Sequence, residues 1–76
     1  MVEVLFPMMT GDPQDQGVLT LWLVPDGDAV RPYQVLAEVT IDKFDAEINA
    51  PAAGVLTWHV QEGDEVAQGA VIATIA

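Results

Sequence analysis

The sequence lacks the residues that build disulfide-linked or zinc-bound structures. Its 76 residues include no cysteine, which excludes disulfide bonds and is consistent with a reducing compartment. His59 is the only histidine, so neither a Cys/His zinc site nor a zincin motif can form. A domain of this size must therefore rely on packing for its stability, and its 51% hydrophobic content is adequate for a core.

Positive charge is almost absent as well. Lys43 and Arg31 are the only two cations beside twelve Asp and Glu residues, which gives a formal net charge of −10. Nucleic acids and anionic membrane surfaces are bound by clustered Lys and Arg, so the composition argues against both as partners. The acidity either serves solubility alone or steers the domain towards basic partners.

Long hydrophobic runs and catalytic constellations are also lacking. The longest nearly continuous apolar run, 18–24, is far too short to span a bilayer. The N-terminus has neither the basic start nor the apolar segment of a signal peptide. We therefore expect a cytoplasmic protein with no membrane contact. No nucleophile, acid/base pair or metal cluster is apparent, and a catalytic domain is the least favoured class.

What the sequence does contain is an internal repeat. From Gly27 onward the two copies are separated by 36 residues, and before Gly27 the first copy has one extra residue. The matching segments are 17–20 with 54–57, 27–30 with 63–66, and 35–39 with 71–75. Every apolar run is bounded by Gly, Pro or Asp, and none has a sustained helical period. These features predict an all-β domain made of two similar halves.

We predict one domain, 1–76, with half-repeats at about 2–40 and 46–76 and a crossover hairpin at 41–45. Two four-strand units about an approximate two-fold axis would form a flattened β-barrel or sandwich of two four-stranded sheets, a barrel-sandwich hybrid. Trp22 and Trp58 fall at nearly equivalent places, and we expect both to pack. The predicted core consists of Val4, Phe6, Val18, Leu21, Leu23, Val30, Leu36, Val55, Val60, Val66, Val71 and Ile75.

The crossover places an unusual residue at a turn. Strand-like alternation on both sides of 41–44 predicts a hairpin with Asp42 and Lys43 at its centre. Tight hairpin turns favour Asn-Gly or Asp-Gly because these positions require positive φ, although a type I turn would accept lysine. A sole lysine at a turn position where glycine is preferred departs from the usual turn chemistry, and such departures are expected at functional sites. The two-fold arrangement predicts this tip at one end and both termini at the other.

These features resemble the lipoyl/biotinyl attachment domains. The resemblance rests on the duplication, two Gly-Asp-x-Val turns, the Ala-Pro-x-x-Gly-Val-Leu segment at 50–56 and the tip lysine, and it covers 4–75. Asp42 and Lys43 match the Asp-Lys-Ala of lipoylated domains rather than the Met-Lys-Met of biotinylated ones. Phe44 replaces the usual alanine, and Thr40-Ile41 replaces a common Glu-Thr. The bulk of Phe44 leaves the particular ligase and complex open.

The resemblance implies a non-catalytic carrier with lipoate in amide linkage to Lys43, flanked by Asp42 and Phe44. The sequence is similar to the lipoyl domain of a 2-oxo acid dehydrogenase acyltransferase, and such a domain presents its swinging arm to several active sites. The implied partners are a lipoate-protein ligase or lipoyl transferase, the 2-oxo acid decarboxylase component, the acyltransferase core and dihydrolipoamide dehydrogenase. In such domains the loop 8–16 lies near the lysine, and we expect recognition by partners to involve Asp12, Gln14 and Asp15.

Two other functions stay open. A biotin carrier of a carboxylase or decarboxylase has the same fold, although Asp42 and the lack of methionine near Lys43 count against it. An unmodified structural domain, as in efflux adaptor proteins, usually has a helical hairpin in the crossover, and Lys43 would then be a solvated turn residue. Asp42 either shapes the turn or orients the lysine for the ligase. We interpret His59 as structural and Arg31 as a surface residue.

Overall fold

The computed structural model describes residues 1–12 and 14–76, and eight β-strands account for its regular structure. No helix in this part of the chain is long and apolar enough to cross a membrane. Pro and Gly lie between most strands, where they terminate apolar runs. The strands are β1 (Val2–Leu5), β2 (Gln16–Trp22), β3 (Ala29–Val30), β4 (Val35–Ile41), β5 (Phe44–Asn49), β6 (Gly54–Trp58), β7 (Glu65–Ala67) and β8 (Val71–Ile75).

The strands form two four-stranded sheets whose pairs are all antiparallel. One sheet has the order β1-β8-β6-β3 and the other has the order β5-β4-β2-β7. The two sheets stay separate and pack as a flattened sandwich. This arrangement confirms the predicted all-β fold with two four-stranded sheets, and of the two forms considered it corresponds to the sandwich rather than the closed barrel.

The two halves of the chain are related by pseudo-two-fold symmetry. Exchanging β1–β4 for β5–β8 converts the strand order of one sheet into that of the other. The turns repeat in detail, since Gly27 donates its N–H to the Leu56 carbonyl at 2.8 Å and Gly63 donates to the Leu19 carbonyl at 2.7 Å. The equivalent glycines also share a positive φ, 91° at Gly27 and 88° at Gly63. The strand order and the two glycine turns therefore share one pseudo-two-fold relation.

A β-bulge accommodates the extra residue of the first copy. In the β2–β4 pair, Leu19 lies opposite Val39 whereas Leu21 lies opposite Glu38, so Thr20 has no ladder partner. A bulge inserts one residue into one strand and strengthens the local twist. The one-residue difference in the repeat therefore lies at Thr20, on the strand next to β4.

The core is confirmed in part. Six predicted residues are buried: Val4, Phe6, Val30, Leu36, Val66 and Ile75. The prediction is wrong for Leu21, Leu23 and Val55, which are exposed, and for Val18 and Val71, which are only half-buried. Val60 is half-buried and packs against the core. Leu19, Leu56 and Ile72 are fully buried instead.

The error has one physical cause in β2, β6 and β8. Side chains alternate between the two faces of a strand, so a shift of one residue exchanges the buried set for the exposed one. In Val18-Leu19, Val55-Leu56 and Val71-Ile72 both neighbours are apolar, and the pattern does not distinguish the two phases. The two-sheet packing decides in favour of the second residue of each pair.

The two tryptophans link the halves across the pseudo-two-fold axis. The rings of Trp22 and Trp58 stack with centroids 5.0 Å apart and planes 7° from parallel. Each indole N–H donates to a carbonyl of the opposite half, Trp22 to Val60 and Trp58 to Val24, both at 3.1 Å. The expectation that both rings pack is confirmed, and their hydrogen bonds satisfy the polar edges of the rings.

The β4–β5 turn and the chain termini lie at opposite ends of a body whose principal extents are 32 × 19 × 18 Å. β5 leads away from the turn to Asn49, and β6 begins four residues after Ala50, at Gly54. There Val55 donates its N–H to the Ala76 carbonyl at 2.9 Å, and Val2 pairs with Ile75. The first and last residues are therefore adjacent, at the end farthest from the turn.

Candidate functional site

The β4–β5 turn is as short as a hairpin allows. Ile41 pairs with Phe44, so Asp42 and Lys43 alone form the reversal. The predicted crossover 41–45 contains this turn, but its outer residues belong to the strands. Lys43 is exposed, because a two-residue turn at the end of a sandwich has no layer above it.

The turn requires positive φ at its first position only. Asp42 has φ of 55°, and among the described residues Tyr33 is the other non-glycine residue with positive φ. A type I turn has negative φ at both central positions, so the type I alternative for this hairpin is wrong. Aspartate tolerates the left-handed region better than most residues, which explains Asp42, and Lys43 is free of that constraint. This geometry supports the interpretation of Asp42 as a turn residue.

Phe44 follows the lysine directly and is 51% exposed. It is absent from the apolar residues that pack on the main core, although its cross-strand partner Ile41 is buried. An exposed aromatic ring therefore borders Lys43 on one side and the Asp42 carboxylate borders it on the other.

The loop between β1 and β2 is organised by a residue that the sequence reasoning missed. Gln68, which is 8% exposed, accepts the N–H groups of Met9 and Thr10 at 2.6 and 2.8 Å. Its amide nitrogen donates to the Asp12 carbonyl at 2.9 Å. Gln68 follows β7, 53 or more residues away along the chain, and its position in the first half is occupied by Pro32. Nothing in the local pattern around Gln68 indicates this role.

The structure brings the end of this loop to the β4–β5 turn. Val18 pairs with Thr40, and a Cβ at Gly17 would lie 2.8 Å from the Thr40 carbonyl oxygen, so the start of β2 lies beside the end of β4 that leads into the turn. Asp12, Gln14 and Asp15 are exposed in this loop. Pro13 lies outside the described residues.

Two of the three predicted recognition residues also shape the loop itself. The Asp15 carboxylate accepts the Thr10 hydroxyl at 2.9 Å, and the Asp12 carboxylate accepts the Gln14 N–H at 2.9 Å. The role of these residues in recognition stays a prediction.

The outer face of the hairpin is acidic and slightly concave. A depression of about 360 Å³ lies over β4, β5 and the bulge of β2. Its lining residues are Thr20, Glu38, Val39, Thr40, Asp45, Ala46 and Glu47. Within the described parts of the chain, no group of three or more His, Cys, Asp or Glu side chains is arranged to hold a metal ion.

His59 and Arg31 lie away from this site in the fold. His59 is exposed, and its ring Nε2 lies 3.2 Å from the Thr74 hydroxyl oxygen. The backbone N–H of His59 donates to the Ile72 carbonyl. Arg31 is exposed in the turn before β4. Its backbone N–H donates to the side-chain oxygen of Gln34 at 3.0 Å. Both are placed as surface residues.

Comparison with known proteins now adds to this geometry. The biotin/lipoyl family model, described as "biotin-requiring enzyme", matches residues 2–75. The chain belongs to the biotin/lipoyl attachment family. The resemblance noted in the sequence is therefore confirmed over the whole sandwich, including the hairpin that carries Lys43.

Several proteins similar to this chain are acyltransferase components of dehydrogenase complexes. The chain is 44% identical over 66 residues, 86% of its length, to the dihydrolipoyllysine-residue acetyltransferase component of the pyruvate dehydrogenase complex of Corynebacterium glutamicum. It is 39% identical over 77 residues, 99% of this chain, to the same component of Zymomonas mobilis. It is 33% identical over 75 residues, 97% of this chain, to the lipoamide acyltransferase component of the branched-chain alpha-keto acid dehydrogenase complex of Bacillus subtilis. The alignments span 10%, 17% and 18% of these three relatives.

A solved structure supports the fold independently. The solution structure of the lipoyl domain of the 2-oxoglutarate dehydrogenase complex from Azotobacter vinelandii superposes with a TM-score of 0.78. The match covers 99% of this chain and 96% of that one at 22% sequence identity. At this identity the likeness shows the shared fold alone.

Proposed function

We propose that this domain is a lipoyl carrier that bears lipoate in amide linkage to Lys43. The observation that carries the proposal is the position of the only lysine in the chain, exposed at a two-residue turn and remote from the termini. A group fixed at such a tip can enter the active site of another protein with few clashes from the body that carries it. The acyltransferase relatives support the same assignment.

The chain's own residues fit the attachment of an acyl group. Lys43 supplies a primary amine that attacks the carbonyl carbon of an activated lipoyl group, forms the amide and releases the activating group and a proton. Asp42 provides the positive-φ position that turns the chain, so the lysine needs no strained conformation. Lipoate bound there supplies a dithiolane that accepts acyl groups and electrons, while the protein contributes presentation.

The proposed partners follow from this role. The enzyme that attaches lipoate must meet Lys43 itself, and the oxo acid decarboxylase, acyltransferase core and dihydrolipoamide dehydrogenase would use the far end of the arm. We propose the loop 8–16 as part of the surface that these enzymes contact, because its end lies beside the turn. A carrier tethered to such a complex gains effective concentration at each active site.

A biotin carrier is the second candidate, since the family includes biotin-requiring enzymes. The chemistry of attachment is identical, and the difference lies in which ligase recognises the tip. Asp42 before the lysine and Phe44 after it leave no methionine beside Lys43, which favours lipoate.

Intact-protein mass after incubation with ATP and each ligase tests the proposal. We expect one lipoyl increment with lipoate and a lipoate-protein ligase, and no increment in Lys43→Gln. Circular dichroism and thermal unfolding of Lys43→Gln should match the wild type because the side chain is exposed. A biotinyl increment alone would reassign the domain to a carboxylase or decarboxylase, and no increment in the folded wild type would support the unmodified structural alternative.

A further inference from the structure

Three polar side chains connect three strands directly beneath the β4–β5 turn. The hydroxyls of Thr20 on β2 and Thr40 on β4 lie 3.0 Å apart, and the Thr40 hydroxyl donates to the Asp45 carboxylate on β5 at 2.9 Å. Thr40 and Asp45 are a cross-strand pair, one step below the Ile41–Phe44 pair that closes the turn. We name this hydrogen-bonded trio the tip clasp.

The chemistry of the groups fixes the direction of the tip clasp. An ionised carboxylate only accepts, so the single hydroxyl proton of Thr40 is committed to Asp45. Thr40 can then only accept from Thr20, and Thr20 must donate to it. Each side chain therefore has a defined hydrogen-bond partner, and the negative charge of Asp45 strengthens the two consecutive hydrogen bonds.

Among the described residues the tip clasp exists at one end of the molecule only, where it joins β2 and β4 of the first half to β5 of the second. The residues equivalent to Thr20, Thr40 and Asp45 by the repeat are Thr57, Ala76 and Met1, which include neither a second hydroxyl nor a carboxylate. This second triplet lies at the end of the sandwich with the chain termini.

The bulge of β2 accounts for the difference between the two threonines. Thr57 matches Thr20 in the sequence repeat, but opposite Thr74 it takes the ladder place of Leu21, which lies opposite Glu38. Thr20 is the bulged residue and has no ladder partner. Bulges redirect side chains and are frequent beside functional sites. The single residue that the first half has in excess is therefore the residue that begins the tip clasp.

The turn above the tip clasp needs support. β5 is an edge strand, so its only ladder neighbour is β4. Asp42 occupies a positive φ of 55°, and such conformations persist in non-glycine residues only when the surrounding structure determines them. The tip clasp connects the edge strand through β4 to β2 on the exposed side of the hairpin, where no other layer covers it.

We propose that Thr20, Thr40 and Asp45 are positioning residues that hold the Asp42–Lys43 turn in the geometry required for acylation of Lys43. The proposal rests on the proposed lipoyl attachment. The three residues act through the turn and do not touch the reacting amine. Their loss should allow the turn to sample conformations that the attaching enzyme cannot use, so the rate of modification falls while the fold remains.

Matched threonine variants test the proposal. Thr20→Val and its repeat equivalent Thr57→Val both remove one hydroxyl from an exposed strand position and keep the β-branched shape. Lipoylation by a lipoate-protein ligase is followed by intact mass to give kcat and KM. We expect Thr20→Val and Thr40→Val to lose about three- to tenfold in kcat/KM, the range of one net hydrogen bond, while Thr57→Val stays within about twofold. Thr40→Ser keeps the hydroxyl and should recover most of the rate.

Amide hydrogen exchange gives a readout that does not depend on any ligase. The N–H groups of Ile41 and Phe44, the pair that closes the turn, should exchange faster in Thr20→Val than in Thr57→Val, while both variants stay folded. Equal exchange and equal lipoylation in this pair would overturn the proposal. If the wild-type domain is never lipoylated, the proposed function fails, and the exchange comparison still decides whether the tip clasp holds the turn.

Discussion

The two ends of this molecule are built on the same strand pairs and differ in what joins them. At one end β4 and β5 are closed by a two-residue turn that carries Lys43, and at the other the equivalent pair, β8 and β1, ends in the chain termini. The features common to both ends are the sheets, the glycine turns and the tryptophan pair. Within the described residues, those found only near Lys43 are the bulge at Thr20, the tip clasp and the hydrogen bonds from Gln68 to the loop that follows β1. The shared features make the fold, and the unshared ones surround the candidate site.

The difference between the halves also extends to one turn that lies away from Lys43. Tyr33, which is 85% exposed, has φ of 69°, and its repeat equivalent Gly69 has φ of 84°. The hydrogen bonds around both positions are equivalent, Tyr33 N–H to the Ala50 carbonyl and Gly69 N–H to the Phe6 carbonyl, each at 2.8 Å. The backbone thus obeys the symmetry even where the side chain departs from it.

The largest effect is expected from breaking a packing contact of the hairpin end. A Cβ at Gly17 would overlap Phe6 Cζ and lie 2.8 Å from the Thr40 carbonyl oxygen, so Gly17→Ala should destabilise the domain by about 2 kcal/mol. The thermal midpoint should fall by about 10 °C. Gly11→Ala is the matched control, because nothing lies within 4 Å of its added Cβ. Equal midpoints for the two variants would contradict the close packing at Gly17.

The tryptophan pair tests the contact shared by the halves. Trp22→Phe should lower the free energy of unfolding by about 1.5 kcal/mol, because it removes the buried indole donor to Val60. Trp58→Phe should cost less, since that ring is only half-buried. A double-mutant cycle of Trp22→Leu and Trp58→Leu, which remove the rings themselves, should give by urea unfolding a coupling of about 0.5–1.5 kcal/mol for the stacked rings. Strict additivity would show that the two rings do not stabilise each other.

The loop 8–16 tests whether the end that carries Lys43 differs in function from the rest of the domain. Replacing it with a short glycine turn should slow reductive acylation of the lipoylated domain by the decarboxylase component about tenfold, which is about 1.4 kcal/mol. Lipoylation should be unaffected, because Lys43 remains exposed on its own hairpin.

A point variant separates the loop's contacts from its order. Gln68→Leu removes the side chain that accepts from Met9 and Thr10 and keeps the loop sequence, so it should slow reductive acylation by a smaller factor. Rates equal to the wild type in both variants would exclude the loop 8–16 from partner recognition.

The smallest effect concerns the asymmetric turn. Tyr33→Gly should stabilise the domain by about 0.5 kcal/mol, because relief of the left-handed strain exceeds the entropy cost of glycine. Gly69→Ala should have the opposite sign, with a loss of about 1 kcal/mol. Both are measured by urea unfolding. A clear loss of stability in Tyr33→Gly would mean that the tyrosine ring packs in solution.

Features repeated in the sequence could be predicted, because repetition shows what the fold requires twice. The matching segments at 17–20 and 54–57 gave the half boundaries, and the sole lysine marked the turn. The repeat also revealed one extra residue in the first copy, but not its position. The identity of 17–20 with 54–57 aligns Thr20 with Thr57 and places the extra residue after it, whereas the ladder pairs Leu21 and leaves Thr20 bulged.

The remaining features depend on contacts between residues distant in sequence. Gln68 orders a loop more than fifty residues before it, and no local preference of glutamine signals such a partner. The phase of β2 depended on which of Val18 and Leu19 faced the second sheet, and both are apolar. The φ of Asp42 follows from the closing pair Ile41–Phe44, which a sequence pattern locates only to within a residue or two.

The most direct test of the difference between the two ends is to locate the acyl group within the protein. Lys43 is the only lysine of the sequence and lies at the hairpin, while Met1 lies at the opposite end. After lipoylation, fragmentation of the intact protein in the mass spectrometer assigns the increment to a segment of the chain. We predict the entire lipoyl increment on fragments that contain Lys43. An increment on Met1, or one that persists in Lys43→Gln, would contradict the assignment of the hairpin as the attachment site.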